Sequence, residues 1–153
     1  MSKQRDVIRM SAQEVDAFLN SSKTLVVATL DKQGAPHLTA LWFARAGASV
    51  MFETYGASQK VVNLRRDPRL TVLCEQGETY GQLRGVSITG RAEIVDHGDR
   101  LGELMAVIIN RNTPGLAPEA LASHVAAMIR KRVVVIVHAE KLVSWDHRKL
   151  SAR

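Results

Sequence analysis

The stretch VMFETYGASQKVVNLRRDPRLTVL (50–73) changes its residue pattern twice, and these changes predict its secondary structure. The segment before Tyr55 is rich in β-branched and aromatic residues, which favour a strand. Ser58 stands where a helix N-cap is expected, directly before QKVVNLRR (59–66). Asp67 ends this helix because the residue before a proline is disfavoured from helical angles. The stretch therefore predicts a strand, a tight turn, a short helix and a second strand.

The first turn of the predicted helix is a candidate anion site. Backbone N–H groups at a helix N-terminus have no helical partner, and here a serine hydroxyl and the Lys60 ammonium stand beside them. Helical spacing predicts that Lys60 and Asn63 project together, while Val61 and Leu64 form the buried side. An ordinary capped surface helix with solvated basic residues explains the spacing equally well. The spacing alone leaves both interpretations open.

The rest of the chain predicts a mainly β domain with short helices. Ser11 and Glu14 have the spacing of a capping box and begin a helix. Strand patterns cover 24–30, 37–46, 48–54, 69–75, 83–95 and 132–145, and helical spacing covers 99–112 and 118–131. Because these strands follow one another with only short helices between them, they fit a small closed barrel better than a layered α/β fold. No linker interrupts residues 1–153, so we expect a single domain.

Composition and charge describe a globular protein that attracts anions. Of its 153 residues, 46% are hydrophobic and 24% are charged. No apolar run approaches the roughly 20 residues that span a bilayer, and the N-terminus lacks an apolar core, so we expect a cytoplasmic protein without a membrane span. The formal charge of +6 suggests an anionic partner, either nucleic acid or a polyanionic cofactor. Few aromatic residues and no extended basic stripe argue against nucleic acid.

Side chains for catalysis or metal binding form no recognisable group in the sequence. The histidines are scattered without metal spacing and are interpreted as structural or surface residues: His37, His97, His124, His138 and His147. The carboxylates offer no convincing acid–base pair. We therefore predict neither a metal site nor a catalytic residue. The single cysteine, Cys74, excludes an internal disulfide and is predicted to be a core residue of its strand.

Trp42 and Phe43 are neighbours in a predicted strand, so their side chains point to opposite faces of the sheet. One ring is expected inside the domain and the other at a pocket or a partner. An exposed aromatic surface can stack on a flat ring system. Core packing or a dimer contact is nevertheless the commoner role for such a pair.

Four segments together resemble the split-barrel flavin and deazaflavin oxidoreductases, the superfamily of pyridoxamine 5′-phosphate oxidase. They are GAPHLTALWF (34–43), the stretch 50–73, VSITGRAEIV (86–95) and KRVVVIVHAEKLVSWD (131–146). The resemblance covers residues 12–146. It implies a six-stranded split β-barrel that forms a homodimer, with two cofactor sites at the subunit interface.

The resemblance also implies cofactor-binding residues. Those for the phosphate lie on the strand-to-helix turn and its flanks: Thr54, Ser58, Gln59, Lys60 and Asn63. Those for the isoalloxazine-like ring lie on the strand that runs beside it: Thr39, Ala40, Leu41 and Trp42. Arg132 is implied to approach from the last strand.

Two departures from pyridoxamine 5′-phosphate oxidase argue against vitamin B6 oxidation. That enzyme usually carries Ser-Arg-Lys at the phosphate turn, where this chain has Gln59, and a glutamine where this chain has Gly85. The K-x-x-N-L-R-R-D-P helix (60–68) and the S-W-D segment (144–146) look more like the branch that uses coenzyme F420. F420 is a deazaflavin whose phosphate and glutamate tail are strongly anionic.

The resemblance to that branch implies an F420-dependent oxidoreductase. Reduced F420 would transfer a hydride to an electron-poor small molecule, such as a conjugated enone, a quinone or a tetrapyrrole. An FMN flavoprotein with the same site is one alternative. A non-enzymatic protein that stores or carries a cofactor or a hydrophobic ligand is another.

Overall fold

The computed structural model describes residues 4–150. Its strands are β1 (Thr24–Leu30), β2 (Pro36–Trp42), β3 (Ala44–Ala46), β4 (Ser49–Tyr55), β5 (Arg69–Gln76), β6 (Arg84–Val95) and β7 (Arg132–Asp146). Its α-helices are α1 (Gln4–Val7), α2 (Ala12–Ser21), α3 (Gln59–Arg66), α4 (Asp99–Asn112) and α5 (Pro118–Met128). Short 3₁₀ turns cover Tyr80–Gln82 and His147–Leu150.

The strands form one antiparallel sheet that closes on itself. Their order is β2-β1-β5-β6-β7-β4-β3, so β2 and β3 lie at opposite edges. Only Phe43 separates these two strands along the chain. Because one residue cannot cross a flat sheet of this width, the sheet must curl until its edges meet. The mainly β fold with short helices, arranged as a split β-barrel, is confirmed.

The predicted strand 37–46 is divided at Phe43, so residues 4–150 contain seven strands where the sequence predicted six. The Phe43 carbonyl accepts hydrogen bonds from Arg111 Nη1 (2.6 Å) and Asn112 Nδ2 (3.3 Å). Both donors come from α4, far along the chain. Since this carbonyl is occupied by side chains, it is not free for a strand ladder, and the ladder breaks between β2 and β3.

Two apolar cores lie on the two faces of the curled sheet. The inner core fills the barrel and includes Phe18 of α2, Phe52 of β4 and Val61 of α3. The outer core lies between the sheet and α4, where Met105 is fully buried. Strand β7 serves both cores because alternate residues of VVVIV (133–137) face opposite sides, as its continuous apolar run predicted.

Helix α2 begins with the capping box that the sequence predicted. The Glu14 N–H donates to Ser11 Oγ at 3.2 Å, and the Ser11 N–H donates to the Glu14 carboxylate at 2.6 Å. Cys74 is buried in β5, as expected of a core residue. No helix within residues 4–150 is long and apolar enough to cross a membrane.

Candidate functional site

The turn 56–60, which joins β4 to α3, is held rigidly by backbone hydrogen bonds. The Gly56 N–H donates to the Lys131 carbonyl at 2.9 Å, and the Ser58 N–H donates to the Tyr55 carbonyl at 3.0 Å. The first helical bond of α3 runs from the Val62 N–H to the Ser58 carbonyl at 3.0 Å. The N–H groups that precede Val62 in α3 therefore have no helical acceptor. They form an open helix start at the position where the sequence predicted an anion site.

Ser58 occupies the N-cap position, but its hydroxyl does not cap the helix. It lies 3.4 Å from Thr54 Oγ1 instead. Thr54 is 5% exposed, so the pair stands at the boundary between the barrel interior and the turn. The hydroxyl of Ser58 thus leaves the helical N–H groups available for another acceptor.

The ammonium of Lys60 is partly buried beside this turn. Its Nζ donates to Thr54 Oγ1 at 3.1 Å. Burial lowers the pKa of Lys60, and the negative charge of Glu53 opposes that change. A partly buried cation whose direct partner is a neutral hydroxyl is not fully compensated, so an incoming anion would stabilise it.

Asn63 lies on the buried side of α3 with Val61 and Leu64, so its predicted place beside Lys60, apart from that buried side, is wrong. Its side chain is completely buried, and Nδ2 donates to Thr29 Oγ1 of β1 at 3.0 Å. Gln59 Nε2 donates to Asn63 Oδ1 at 2.8 Å. Because both ends of the amide have partners, it tolerates burial and faces the barrel with Val61. Asn63 positions the first turn of α3 and does not reach its surface.

Strand β2 divides the four predicted ring-side residues between its two faces. Thr39 and Leu41 point inward and are half-buried, whereas Ala40 and Trp42 point outward and are exposed. Trp42 is 56% exposed and Phe43 is fully buried, so the predicted division of that aromatic pair is confirmed. Lys23 Nζ lies 5.3 Å from the Trp42 ring centroid. Thr39 Oγ1 is buried and has no hydrogen-bond partner among the described residues.

Arg132 lies beside the turn but on the other face of the sheet. It pairs across the ladder with Tyr55, whose side chain points opposite to that of Thr54. Its guanidinium donates to Glu53 Oε2 at 2.7 Å and stacks 3.9 Å from the Tyr55 ring centroid. The structure therefore does not bring Arg132 into contact with Lys60 or Ser58.

Thr29 is a site residue that the sequence analysis missed. It is 1% exposed and anchors α3 through Asn63. Its signal was a polar residue at an inward position of TLVVATL (24–30), where Leu25 and Val27 are the other inward side chains. The sequence alone does not identify the hydrogen-bond partner of the Thr29 hydroxyl, so the contact of Thr29 with α3 was not predicted.

A family model described as pyridoxamine 5′-phosphate oxidase matches residues 11–146. This chain belongs to the pyridoxamine 5′-phosphate oxidase family. No curated protein sequence matches it. The resemblance that the sequence suggested is thereby confirmed at the level of the family.

Solved structures of several proteins are similar to this family member. The conserved hypothetical protein Rv2991 from Mycobacterium tuberculosis is 45% identical, with a TM-score of 0.91, over 98% of this chain and 93% of that one. An F420 reductase is 22% identical, with a TM-score of 0.61, over 83% and 94%. HutZ, a heme storage protein from Vibrio cholerae, is 16% identical, with a TM-score of 0.69, over 87% and 94%. The last two show the shared fold alone.

The glycine that departs from the pattern of pyridoxamine 5′-phosphate oxidase has a structural cause in this family member. Gly85 of β6 pairs with Trp145 of β7, and a Cβ added at Gly85 would overlap the Trp145 indole. The indole occupies the space that a longer side chain at this position would need. A glutamine here is therefore incompatible with Trp145 in its present position.

Proposed function

We propose that this protein is a cytoplasmic F420-dependent oxidoreductase that acts on an electron-poor conjugated small molecule such as an enone, a quinone or a tetrapyrrole. The observation that carries the proposal is the partly buried Lys60 ammonium at the open N-terminus of α3. When bound, the deazaflavin supplies hydride transfer. The chain binds the phosphate of the deazaflavin, orients its ring and excludes water.

The phosphate fits the turn 56–60 on three grounds. Free N–H groups at the start of α3 can donate to phosphate oxygens. Lys60 adds a positive charge, and its contact with Thr54 Oγ1 fixes the direction of the ammonium. The formal charge of +6 favours a ligand that carries a phosphate and a glutamate tail over one with a phosphate alone.

The ring side fits β2, where Thr39 Oγ1 is a buried hydroxyl without a partner. A ligand atom that donates a hydrogen bond to this hydroxyl, or accepts one from it, would remove the free-energy cost of burying the hydroxyl without a partner. Leu41 packs against the barrel core on the same inward face, so it supplies apolar contact without polar competition. Thr39 and Leu41 are therefore the strongest ring-side candidates within one subunit.

A homodimer would give the outward face of β2 a partner. Leu38 is 62% exposed and Trp42 is 56% exposed, and alternation places both on this face with Ala40. An exposed apolar strip of this kind is typical of an interaction surface. We propose that a second copy covers it and that Ala40 and Trp42 thereby reach the partner's cofactor. Light scattering at micromolar concentration should give the mass of two chains, and a monomer there would contradict the interface site.

FMN is the alternative cofactor, because one phosphate at the turn 56–60 satisfies the same groups. A heme or ligand carrier without enzymatic activity is the second alternative. It is favoured by the similarity to the fold of HutZ, a heme storage protein, and by the lack of a recognisable catalytic group in the sequence. Neither alternative requires that the positive net charge of the protein favour a ligand with a glutamate tail.

Titration of the purified protein with F420, FMN and heme, followed by fluorescence and absorbance, tests the proposal. We expect F420 to bind most tightly, and its affinity to fall more steeply with salt than that of FMN. Lys60→Ala should weaken F420 binding about tenfold to a hundredfold, because it removes one charge-assisted hydrogen bond. Lys141→Ala, an exposed lysine on β7, is the matched control and should change binding less than about twofold.

Tighter binding of heme than of either flavin would contradict the proposal. So would equal losses in the Lys60→Ala and Lys141→Ala variants, because the charge effect would then be a diffuse field. Reduction of an enone or quinone panel by the F420-loaded protein tests the chemical step separately.

A further inference from the structure

His37 is a half-buried histidine on the inward face of β2. Its Nδ1 atom is buried and has no hydrogen-bond partner among the described residues, and the same is true of Thr39 Oγ1. Residues two apart in a strand point to the same face, so the two unpaired atoms face the same side of β2. Buried polar atoms without a partner are uncommon in folded proteins, and two on one strand face indicate that a polar group completes them.

The position of His37 ties it to the turn 56–60. His37 pairs directly with Thr29 in the ladder between β1 and β2. Thr29 Oγ1 accepts the hydrogen bond of Asn63, whose other end binds Gln59 in the first turn of α3. The imidazole therefore stands one cross-strand pair away from the residues that fix the start of the helix.

Closure of the barrel adds a second connection. Strand β2 contacts β4, which carries Thr54 on its inward face next to Lys60. The inward faces of β2 and β4 thus approach each other at the seam of the barrel. A ligand whose phosphate lies at the turn 56–60 would pass along this seam toward Thr39.

We propose that His37 is a cofactor-binding residue, whose imidazole donates a hydrogen bond to the phosphate while Thr39 binds the same ligand on its ring side. The inference rests on the proposed function and deepens it, since it names a phosphate contact outside α3.

The test compares cofactors with and without a phosphate. Wild type, His37→Ala, Lys60→Ala and the control His97→Ala are titrated with FMN, riboflavin, F420 and the F420 chromophore that lacks phosphate and tail. His97 is a suitable control because its side chain is 92% exposed on the surface. Circular dichroism and thermal unfolding establish that each variant is folded.

We expect His37→Ala to weaken FMN and F420 binding about tenfold and to leave riboflavin and the phosphate-free chromophore within about twofold. His37→Asn retains a donor near the Nδ1 position and should recover part of the loss. FMN should also shift the imidazole ¹⁵N resonances of His37 in wild type, which riboflavin should not do. His97→Ala should bind all four ligands as wild type does.

The outcomes separate this inference from the proposed function. If Lys60→Ala loses the preference for phosphate while His37→Ala keeps it, the inference is overturned and the phosphate site stands. Equal losses for FMN and riboflavin in His37→Ala also overturn it, because the contact would not be to phosphate. If His37→Ala changes only the dimer mass, the unpaired atoms belong to a subunit contact and the inference is wrong. If wild type binds none of the four ligands, both proposals fail.

Discussion

The Asn63 side chain fastens α3 to the barrel through Thr29, since its Nδ2 lies 3.0 Å from Thr29 Oγ1. This hydrogen bond is completely shielded from solvent on the Asn63 side. The helix start that forms the candidate anion site is therefore located by a contact inside the barrel. The residues that would touch the ligand and the residue that positions them are one helical turn apart.

Asn63→Ala should destabilise the protein by about 2–3 kcal/mol, because it leaves Thr29 Oγ1 without its donor and opens a small cavity. Urea unfolding measures the change. Asn110→Ala, at an exposed position of α4, is the control and should lie within about 0.5 kcal/mol of wild type. A loss of cofactor affinity without any loss of stability would mean that Asn63 touches the ligand, contrary to its burial.

Local signals in the sequence were sufficient for the elements around the site. The strand, turn and helix of 50–73 follow from β-branched residues, an N-cap serine and a proline, all of which act on near neighbours. The inward turn of Asn63 could not be predicted, because its partner Thr29 is 34 residues away. The face that Arg132 occupies likewise depends on its register with Tyr55, which local patterns do not contain.

The break between β2 and β3 at Phe43 also depends on a residue far along the chain, Arg111. The Arg111 guanidinium donates to the carbonyls of Phe43 (2.6 Å), Leu19 (3.0 Å), Asn20 (3.2 Å) and Ser22 (2.7 Å). It also lies 4.4 Å from the Phe43 ring centroid. Burial lowers its pKa, with an opposing effect of Cys74. One side chain thus joins α4, the end of α2 and the β2–β3 break.

Arg111→Met should cost about 3 kcal/mol or more, since it leaves several carbonyls without donors while keeping most of the apolar stem. Arg111→Lys should recover less than half of that loss, because an ammonium lacks the planar fork of donors. Arg100→Met is the control, as its partner Glu93 is at the surface and the Arg100 side chain is 56% exposed. Unfolding in guanidinium chloride measures the free energy of unfolding of the three variants. Equal stability of Arg111→Met and Arg100→Met would show that the carbonyl contacts are dispensable.

Gly85→Ala should destabilise the protein by about 2–4 kcal/mol, because the added methyl overlaps the Trp145 indole and forces it to move. Trp145→Leu removes the overlapping ring atoms. The double variant Gly85→Ala/Trp145→Leu should therefore be more stable than the sum of the two single losses predicts. A double-mutant cycle from urea unfolding measures this coupling. Simple additivity would mean that the indole moves aside freely.

The Cys74 thiol should be unreactive at neutral pH, and its ionisation should lower the stability of the protein at high pH. Burial raises its pKa to about 11 from an ordinary value of 9.0, and the side chain is 1% exposed. A disulfide reagent at pH 8 should react only as fast as the protein opens, and addition of urea should release the block.

The sign of the pH effect follows from the direction of that shift. Because the thiol ionises more readily in the unfolded chain, its contribution to stability is complete below pH 9 and is lost as the pH rises to about 11. Wild type should lose about 2 kcal/mol more than Cys74→Ala across this window. Subtracting the Cys74→Ala curve removes the tyrosines and lysines that titrate in the same range. Parallel curves would contradict a buried thiol, and so would rapid reaction of native protein at pH 8.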